Sequence, residues 1–354
     1  MNLVAPHLRH PRNLRLAFLF LLAACTKTPS PPKPAAHLVE RTFASMGTEL
    51  HLQAWTADEA GANAAFEAVF NEMNRLEGLL SNWLKTSDVE QLNAAAGLHP
   101  VRVAPELREV LRSAHQLSEL TEGKFDITWG ALSDLWKFDY QNKDDTIPAP
   151  AEIARKRKLI DYRKVVVDDA AGTAFIEGKG MTVNLGGIGK GYAVDRASDI
   201  LKRRGFHDFI VQFGGDMYAA GLEDNHMWRL GIQDPRGPQN QIFAQIDLSD
   251  STFSTSGDYA RSFVRNGRRY HHIIDPATGE PAMGCRSVTI VANSATMADG
   301  LSKGVFILGP EAGMALVQRT PGVDAVIVSS KNEVLVSPGI KGRLTMLAKP
   351  TDAP

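Results

Sequence analysis

The sequence predicts an α+β fold, a single large domain of mixed sheets with packed helices. Three observations point to it. Leu50, Leu52 and Ala54 alternate with Glu49, His51 and Gln53, the period-two pattern of a half-buried strand. Ala62, Phe66, Val69, Met73, Leu76 and Leu80 recur at helical spacing, the pattern of an amphipathic helix. Strand patterns come in runs with helices between them, without the regular strand-helix-strand beat of a doubly wound sheet.

The elements follow in chain order. His7, Arg9, Arg12 and Arg15 precede a short apolar run from Leu16 to Leu22, too short to span a bilayer, and Leu22-Ala23-Ala24-Cys25 completes a small-residue cleavage site. This segment resembles a bacterial lipoprotein signal, which implies lipidation of Cys25 and anchorage outside the cytoplasm. Four prolines in Thr26 to Ala36 predict an extended tether. The expected organisation is a signal over 1–24, lipidated Cys25 and tether over 25–38, one domain over 39–345 and a tail over 346–354. Cys285 is the only other cysteine, so no intramolecular disulfide is expected.

Within the domain, Thr56 with Glu59 predicts a capping box for the first helix, which runs into Ser81-Asn82-Trp83. A second helix is expected from Pro105, with Gly123 after its end. The stretch from Gly123 to Phe138 gathers two tryptophans and two phenylalanines, either a packed corner or a wall for a flat ligand. Residues 139–160 read as a polar surface excursion. Short strands are expected at Lys164 to Asp168, Thr173 to Ile176 and Met181 to Leu185. They lead into Asn184 to Asp195, NLGGIGKGYAVD, where four glycines and a lysine precede a helix expected from Tyr192. Glycines this dense suit either a phosphate cradle or a tight strand-to-helix turn. Phe209 to Phe213, Trp228 to Ile232, Ile242 to Leu248 and Ser287 to Ala292 read as strands, Met297 to Leu308 as an apolar helix carrying Asp299, and Ala325 to Ser337 as a closing hairpin.

A formal net charge of −1 over 354 residues, without a dominant basic stretch in the domain, gives no electrostatic reason to expect nucleic acid. The glycine run departs from a Walker loop, because Asn184 stands where the first glycine belongs and Gly191 replaces the Ser or Thr. It yields no G-x-G-x-x-G, and the chain has no C-x-x-C, H-E-x-x-H or G-x-S-x-G.

What remains is an ordered set of short segments: Met46-Gly47-Thr48, Ser81 to Trp83, Phe125 to Thr128, Asn184 to Tyr192, Phe213 to Asp216, Thr255 to Tyr259, His271 to Gly279, and Ser287 to Ala292 followed by Ala298 to Ser302. In this order they closely resemble the ApbE-type flavin transferases, the FAD:protein FMN transferase family, over roughly residues 39 to 345. The resemblance implies an ApbE-type, T-fold-like architecture. It also implies transfer of the FMN half of FAD, usually with magnesium, to a Ser or Thr hydroxyl of a target redox protein, with release of AMP. Two other activities suit the same segments: storage of FAD without catalysis, and metal-dependent hydrolysis of FAD.

The resemblance assigns roles by position. Met46 and Trp83 correspond to flavin contacts, and Lys124, Phe125 and Asp126 line the same pocket. Asn184, where the family more often has aspartate, corresponds to a ribose or adenine contact, and Lys190 to the pyrophosphate lysine. Asp258 lies in the SGDY segment, and Ile273 contributes backbone contacts. His272 corresponds to the base for the acceptor hydroxyl, with an unperturbed pKa near 6.5 that suits neutral pH; His271 is expected to point elsewhere. The Gly187 carbonyl and Asp299 correspond to metal ligands.

Lys303 departs from this pattern, standing one helical turn from Asp299 where the family commonly has a metal-ligating threonine. An ammonium cannot ligate magnesium. Two arrangements follow: Lys303 pairs with Asp299 and the phosphates, partly replacing the metal, or it turns to solvent and leaves Asp299 to magnesium.

Overall fold

The computed structural model describes residues 35–138 and 145–353. The signal segment, the tether up to residue 34 and Cys25 lie outside the described residues.

The domain is built on one eight-stranded antiparallel sheet whose strands lie side by side in chain order. They are His37–Ser45, Thr48–Thr56, Phe209–Phe213, Asp216–Ala220, Ser251–Gly257, Cys285–Ala292, Asp324–Ser329 and Val334–Val336. Everything else is an excursion between consecutive strands. The longest, between Thr56 and Phe209, holds the first helix and the glycine loop; another, between Gly257 and Cys285, holds His272.

Period-two alternation sends side chains to two cores. Phe209, Val211, Phe213, Val288, Ile290, Ala325 and Ile327 face the helices Glu59–Leu80, Gly189–Arg203 and Ala295–Leu308. Ile210, Phe253, Val291, Val326 and Val328 face the opposite way, toward the three-stranded sheet of Trp228–Gln233, Ile242–Leu248 and Leu344–Met346. With a layer on each face, Cys285–Ala292 is buried at every position, which explains a run too apolar for alternation to be seen.

Several expected boundaries move. The first helix is capped by Asp58, whose carboxylate accepts from the Gly61 N–H at 2.9 Å; Thr56 accepts from the Asp58 N–H instead of capping. Within the expected surface excursion, Pro150–Arg157 is helical. Met181 to Leu185 forms no strand, only a bridge from Thr182 to Trp129, because side chains hold its backbone. Asn82 donates to the Val183 carbonyl and accepts from the Leu185 N–H, both at 2.9 Å, and Asn93 clamps Val183 through both backbone groups. The glycine-loop helix starts at Gly189, so the last two glycines of the run form its first turn.

The aromatic stretch resolves as a packed corner: Trp136 stacks against Phe138 and Tyr270, and its indole donates to the Gly279 carbonyl. Residues expected as a tail are fixed in the domain. Leu344–Met346 pairs with Ile242–Leu248, and Thr351 donates twice to Asp234, at 2.9 and 2.7 Å. The first strand starts at His37, two residues inside the span 25–38.

Candidate active site

Two helices meet at the centre of the site. The first turn of Gly189–Arg203 lies against the start of Ala295–Leu308 so closely that a Cβ on Gly191 would stand 2.2 Å from the Ala295 carbonyl oxygen. Only glycine permits that approach. It brings the Gly191 N–H to Asp299 Oδ2 at 2.9 Å, within a carboxylate that is 0% exposed.

Two lysines reach the same carboxylate. Lys303, one turn along the helix, donates to Asp299 Oδ1, and its side chain is 17% exposed. Lys190, on the loop helix and 27% exposed, lies 3.9 Å from Asp299 Oδ2 and 3.3 Å from Asp216 Oδ2, and donates to the Gly186 carbonyl at 3.3 Å. Burial would raise the Asp299 pKa, but Lys190, Lys303 and the Gly191 N–H outweigh it and hold the carboxyl below its ordinary range. Burial would likewise strip the proton from Lys190, yet Asp299 and Asp216 keep its pKa above the ordinary lysine value.

Hydroxyls brace this cluster from the central sheet. Ser254 donates to Asp216 Oδ1 at 2.6 Å, and Ser256 shares a 2.7 Å hydrogen bond with Ser302, which also donates to the Asp299 carbonyl at 2.8 Å. Ser254 and Ser256 share one strand face, so the period of two aims both at the helix.

His272 is delivered by a hairpin. Ser262–Arg265 pairs with Arg268–His271, and just beyond its open end the His272 N–H donates to the Arg261 carbonyl at 3.2 Å. The two histidines divide as expected. His271 is buried, donating from Nε2 to the Ala282 carbonyl at 2.7 Å and accepting from the Ile273 N–H at Nδ1, so its tautomer follows from its partners. The buried Nδ1 of His272 has no hydrogen-bond partner among the described residues. Burial, then His271 and the positive charges of Arg261, Lys303 and Lys190, push the His272 pKa down to about 3. Two of those cations, Lys303 and Lys190, are the lysines that meet on Asp299.

The remaining predicted residues divide. Phe125 joins the cluster, its ring 3.2 Å from where a Gly187 Cβ would stand, with the Lys303 stem 3.9 Å from the same point. Asn184 holds the loop, its Oδ1 accepting from the Gly186 N–H at 2.9 Å. Trp83 is 83% exposed beside Asn82, the clamp on Val183 and Leu185. Met46, at φ 46°, occupies the left-handed region that a non-glycine residue rarely adopts, in the turn between the first two strands. That turn lines an open cleft of about 730 Å³ that also touches Gly214, two residues before Asp216. Met46 is the only predicted site residue on the cleft.

Four others are engaged elsewhere. Asp126 accepts from both Thr128 donors and from the Tyr162 N–H, so its carboxylate serves the loop. Lys124 pairs with Asp275 at 3.1 Å. Asp258 forms a buried bidentate pair with Arg236 at 2.6 and 2.7 Å, and the Ile273 carbonyl accepts from the Ala282 N–H at 3.0 Å.

Sequence reasoning missed Asp216, Arg261 and Asp195 as site residues. Asp216 and Asp195 stand inside segments already singled out, each directly after its glycines or helix turn. Arg261 becomes visible only through hairpin register, as the residue paired to His272.

Magnesium does not fit these residues. Both Asp299 oxygens already face donors or ammonium groups. A divalent ion about 4 Å from an ammonium would be repelled by on the order of 8 kcal/mol at an effective dielectric near 20. Lys303 pairs with Asp299 and is not turned to solvent.

Fold and site together define an α+β protein in which a glycine loop and two lysines meet on a buried aspartate, with the buried Nδ1 of a histidine left without a hydrogen-bond partner among the described residues. Residues 46–327 match the model of the ApbE family, and the chain belongs to that family. It is 34% identical over 303 residues to the FAD:protein FMN transferase of Treponema pallidum, covering 81% of this chain and 83% of the relative. The enzyme of the same name from Vibrio cholerae is 32% identical over 309 residues, covering 86% and 89%. Among solved structures, the ApbE protein of Thermotoga maritima is similar with a TM-score of 0.79 at 33% identity, covering 86% of this chain and 98% of that one. The flavin transferase ApbE of Vibrio cholerae gives 0.78 at 27% identity, covering 87% and 99%.

Proposed function

We propose that this protein takes FAD as substrate and transfers its FMN half to a Ser or Thr hydroxyl of a target protein, releasing AMP. The observation that carries the reading is the meeting of Lys190 and Lys303 on buried Asp299 with the unpartnered Nδ1 of His272 in their field. Relatives named FAD:protein FMN transferase over nearly the whole domain support it.

The chemistry follows from the charges. Lys190 and Lys303, held by Asp216 and Asp299, bring two ammonium groups together, which suits them to a pyrophosphate. The glycine loop admits the phosphates without side chains in the way, with Phe125 against Gly187, and the family resemblance assigns Trp83 and Met46 to the flavin. The acceptor oxygen attacks the phosphorus on the riboflavin side while its proton passes to His272. The bond from that phosphorus to the bridging oxygen breaks, and the electron pair leaves with AMP. His272 is a weak base in the free protein because burial, and after it the neighbouring positive charges, disfavour its protonated form. Bound pyrophosphate offsets those charges, so the base gains strength when substrate is present.

The acceptor is a redox protein carrying a Ser or Thr flavinylation motif. The N-terminal pattern ending at Cys25 supports a lipid-anchored protein on the periplasmic side of a membrane; among the described residues no helix is long and apolar enough to cross one.

The test mixes purified protein, FAD and Ser- or Thr-bearing acceptor peptides, then reads peptide mass and free AMP. A peptide heavier by FMN less water, with matching AMP, is expected. AMP without adduct would favour FAD hydrolysis, and neither product would favour FAD storage.

A further inference from the structure

We infer that the Lys303 ammonium is the resident cation of this site, holding the place beside Asp299 that a divalent ion would take, so that FAD binding and FMN transfer proceed here without metal. The inference rests on the reading of the site as a FAD site.

Four features carry it. The spacing of Asp299 and Lys303 is one helical turn, so the pair is set by the helix itself. The Lys303 stem is held in place, standing 3.9 Å from the Cβ position of Gly187 on the side chain's way past the glycine loop, and only 17% of the side chain is exposed. The carboxylate is fully used, by Lys303 on one oxygen and by the Gly191 N–H and Lys190 on the other. The other acidic group of the cluster, Asp216, is engaged by Lys190 at 3.3 Å and by Ser254 at 2.6 Å.

An ammonium has three donors, and Asp299 uses one of them. The others are available to phosphate oxygens at the lip of the loop, where negative charge gathers as the acceptor oxygen bonds to phosphorus and the bridging oxygen departs with AMP. Lys303 balances that charge electrostatically and exchanges no electrons. Asp299 in turn holds the ammonium in position, the part it would otherwise play toward a metal.

The test is an FAD titration, followed by quenching of flavin fluorescence, on full-length protein first stripped with EDTA and then supplied with magnesium chloride. Wild-type protein is expected to bind FAD with a Kd unchanged within about twofold between the two buffers. Lys303→Thr, which replaces the ammonium by a short hydroxyl, is expected to bind about tenfold more weakly in EDTA and to regain affinity with magnesium. Lys303→Arg keeps the charge and should remain indifferent to magnesium. Thermal unfolding of each variant separates lost folding from lost binding, and the wild-type comparison needs no variant. A tenfold gain in wild-type affinity on adding magnesium would overturn the inference, as would Lys303→Thr binding like wild type in EDTA. Absence of FAD binding in both buffers would remove the FAD reading itself, and this inference with it.

Discussion

Asp195 receives Thr296 twice, at 2.9 Å from its N–H and 2.7 Å from its hydroxyl, joining the two helices that make the site. The same carboxylate accepts from the Ala295 N–H at 2.8 Å and the Ser294 hydroxyl at 2.9 Å. A residue of the glycine-loop helix thus caps the helix that carries Asp299 and Lys303, and the backbone donors at that N-terminus find a negative charge. Asp195→Ala should cost about 2 kcal/mol in a urea unfolding experiment and weaken FAD binding, because the helices lose their register.

The closeness of those helices gives a paired prediction. Gly191→Ala would place a methyl group 2.2 Å from the Ala295 oxygen and 2.7 Å from the Asp299 Cβ, so the helices must separate. Destabilisation of about 3 kcal/mol and loss of FAD binding are expected. Gly189→Ala, whose nearest neighbour stands 3.9 Å away, should leave unfolding free energy within about 1 kcal/mol of wild type. Equal effects from both would mean that close approach is not why Gly191 is there.

His272 makes stability depend on pH with a defined sign. Its folded pKa is about 3 against an unperturbed 6.5, so between those values the unfolded chain binds the proton and the folded protein does not. Stability therefore falls as pH drops through that window, by no more than about 1.4 kcal/mol per pH unit. His272→Gln should remove that dependence, and denaturant unfolding at a series of pH values between 7 and 4 would measure the difference.

Legibility in the sequence followed the range of the interactions. Strands with one polar face, such as Thr48–Thr56, show their alternation, and the helix carrying Asp299 and Lys303 shows their shared face. Met181 to Leu185 looked like a strand because its alternation is real, but Asn82 and Asn93, about 90 to 100 residues earlier, supply the bonds a neighbouring strand would have made. The resemblance located His272, Lys190 and Asp299, whereas Arg261 depends on hairpin register and Asp258 on a partner, Arg236, in the loop between Trp228–Gln233 and Ile242–Leu248. Local spacing carries no information about such distant partners.

Trp83 separates binding from folding. With 83% of its surface exposed, Trp83→Ala should change unfolding free energy by less than about 0.5 kcal/mol. A flavin ring covered by the indole would lose that contact, and FAD affinity should fall about tenfold in a fluorescence titration. Unchanged affinity would take Trp83 out of the flavin site.

Arg236 and Asp258 form a buried ion pair whose loss can be measured. Arg236→Met leaves the Asp258 carboxylate buried without its bidentate partner, a loss of about 3–5 kcal/mol for a pair of this kind. Thermal unfolding should show a large drop in midpoint, and a variant as stable as wild type would contradict the structural part given to Asp258.

The central claim is that the imidazole beside the lysine cluster is the base of a flavin transfer site. Its most direct measurement compares wild type and His272→Ala, each with FAD and an acceptor that wild type modifies, reading bound FAD by fluorescence and adduct by mass spectrometry. FAD affinity unchanged within about threefold with adduct formation lost is the predicted result. Adduct forming at the wild-type rate in His272→Ala would contradict it.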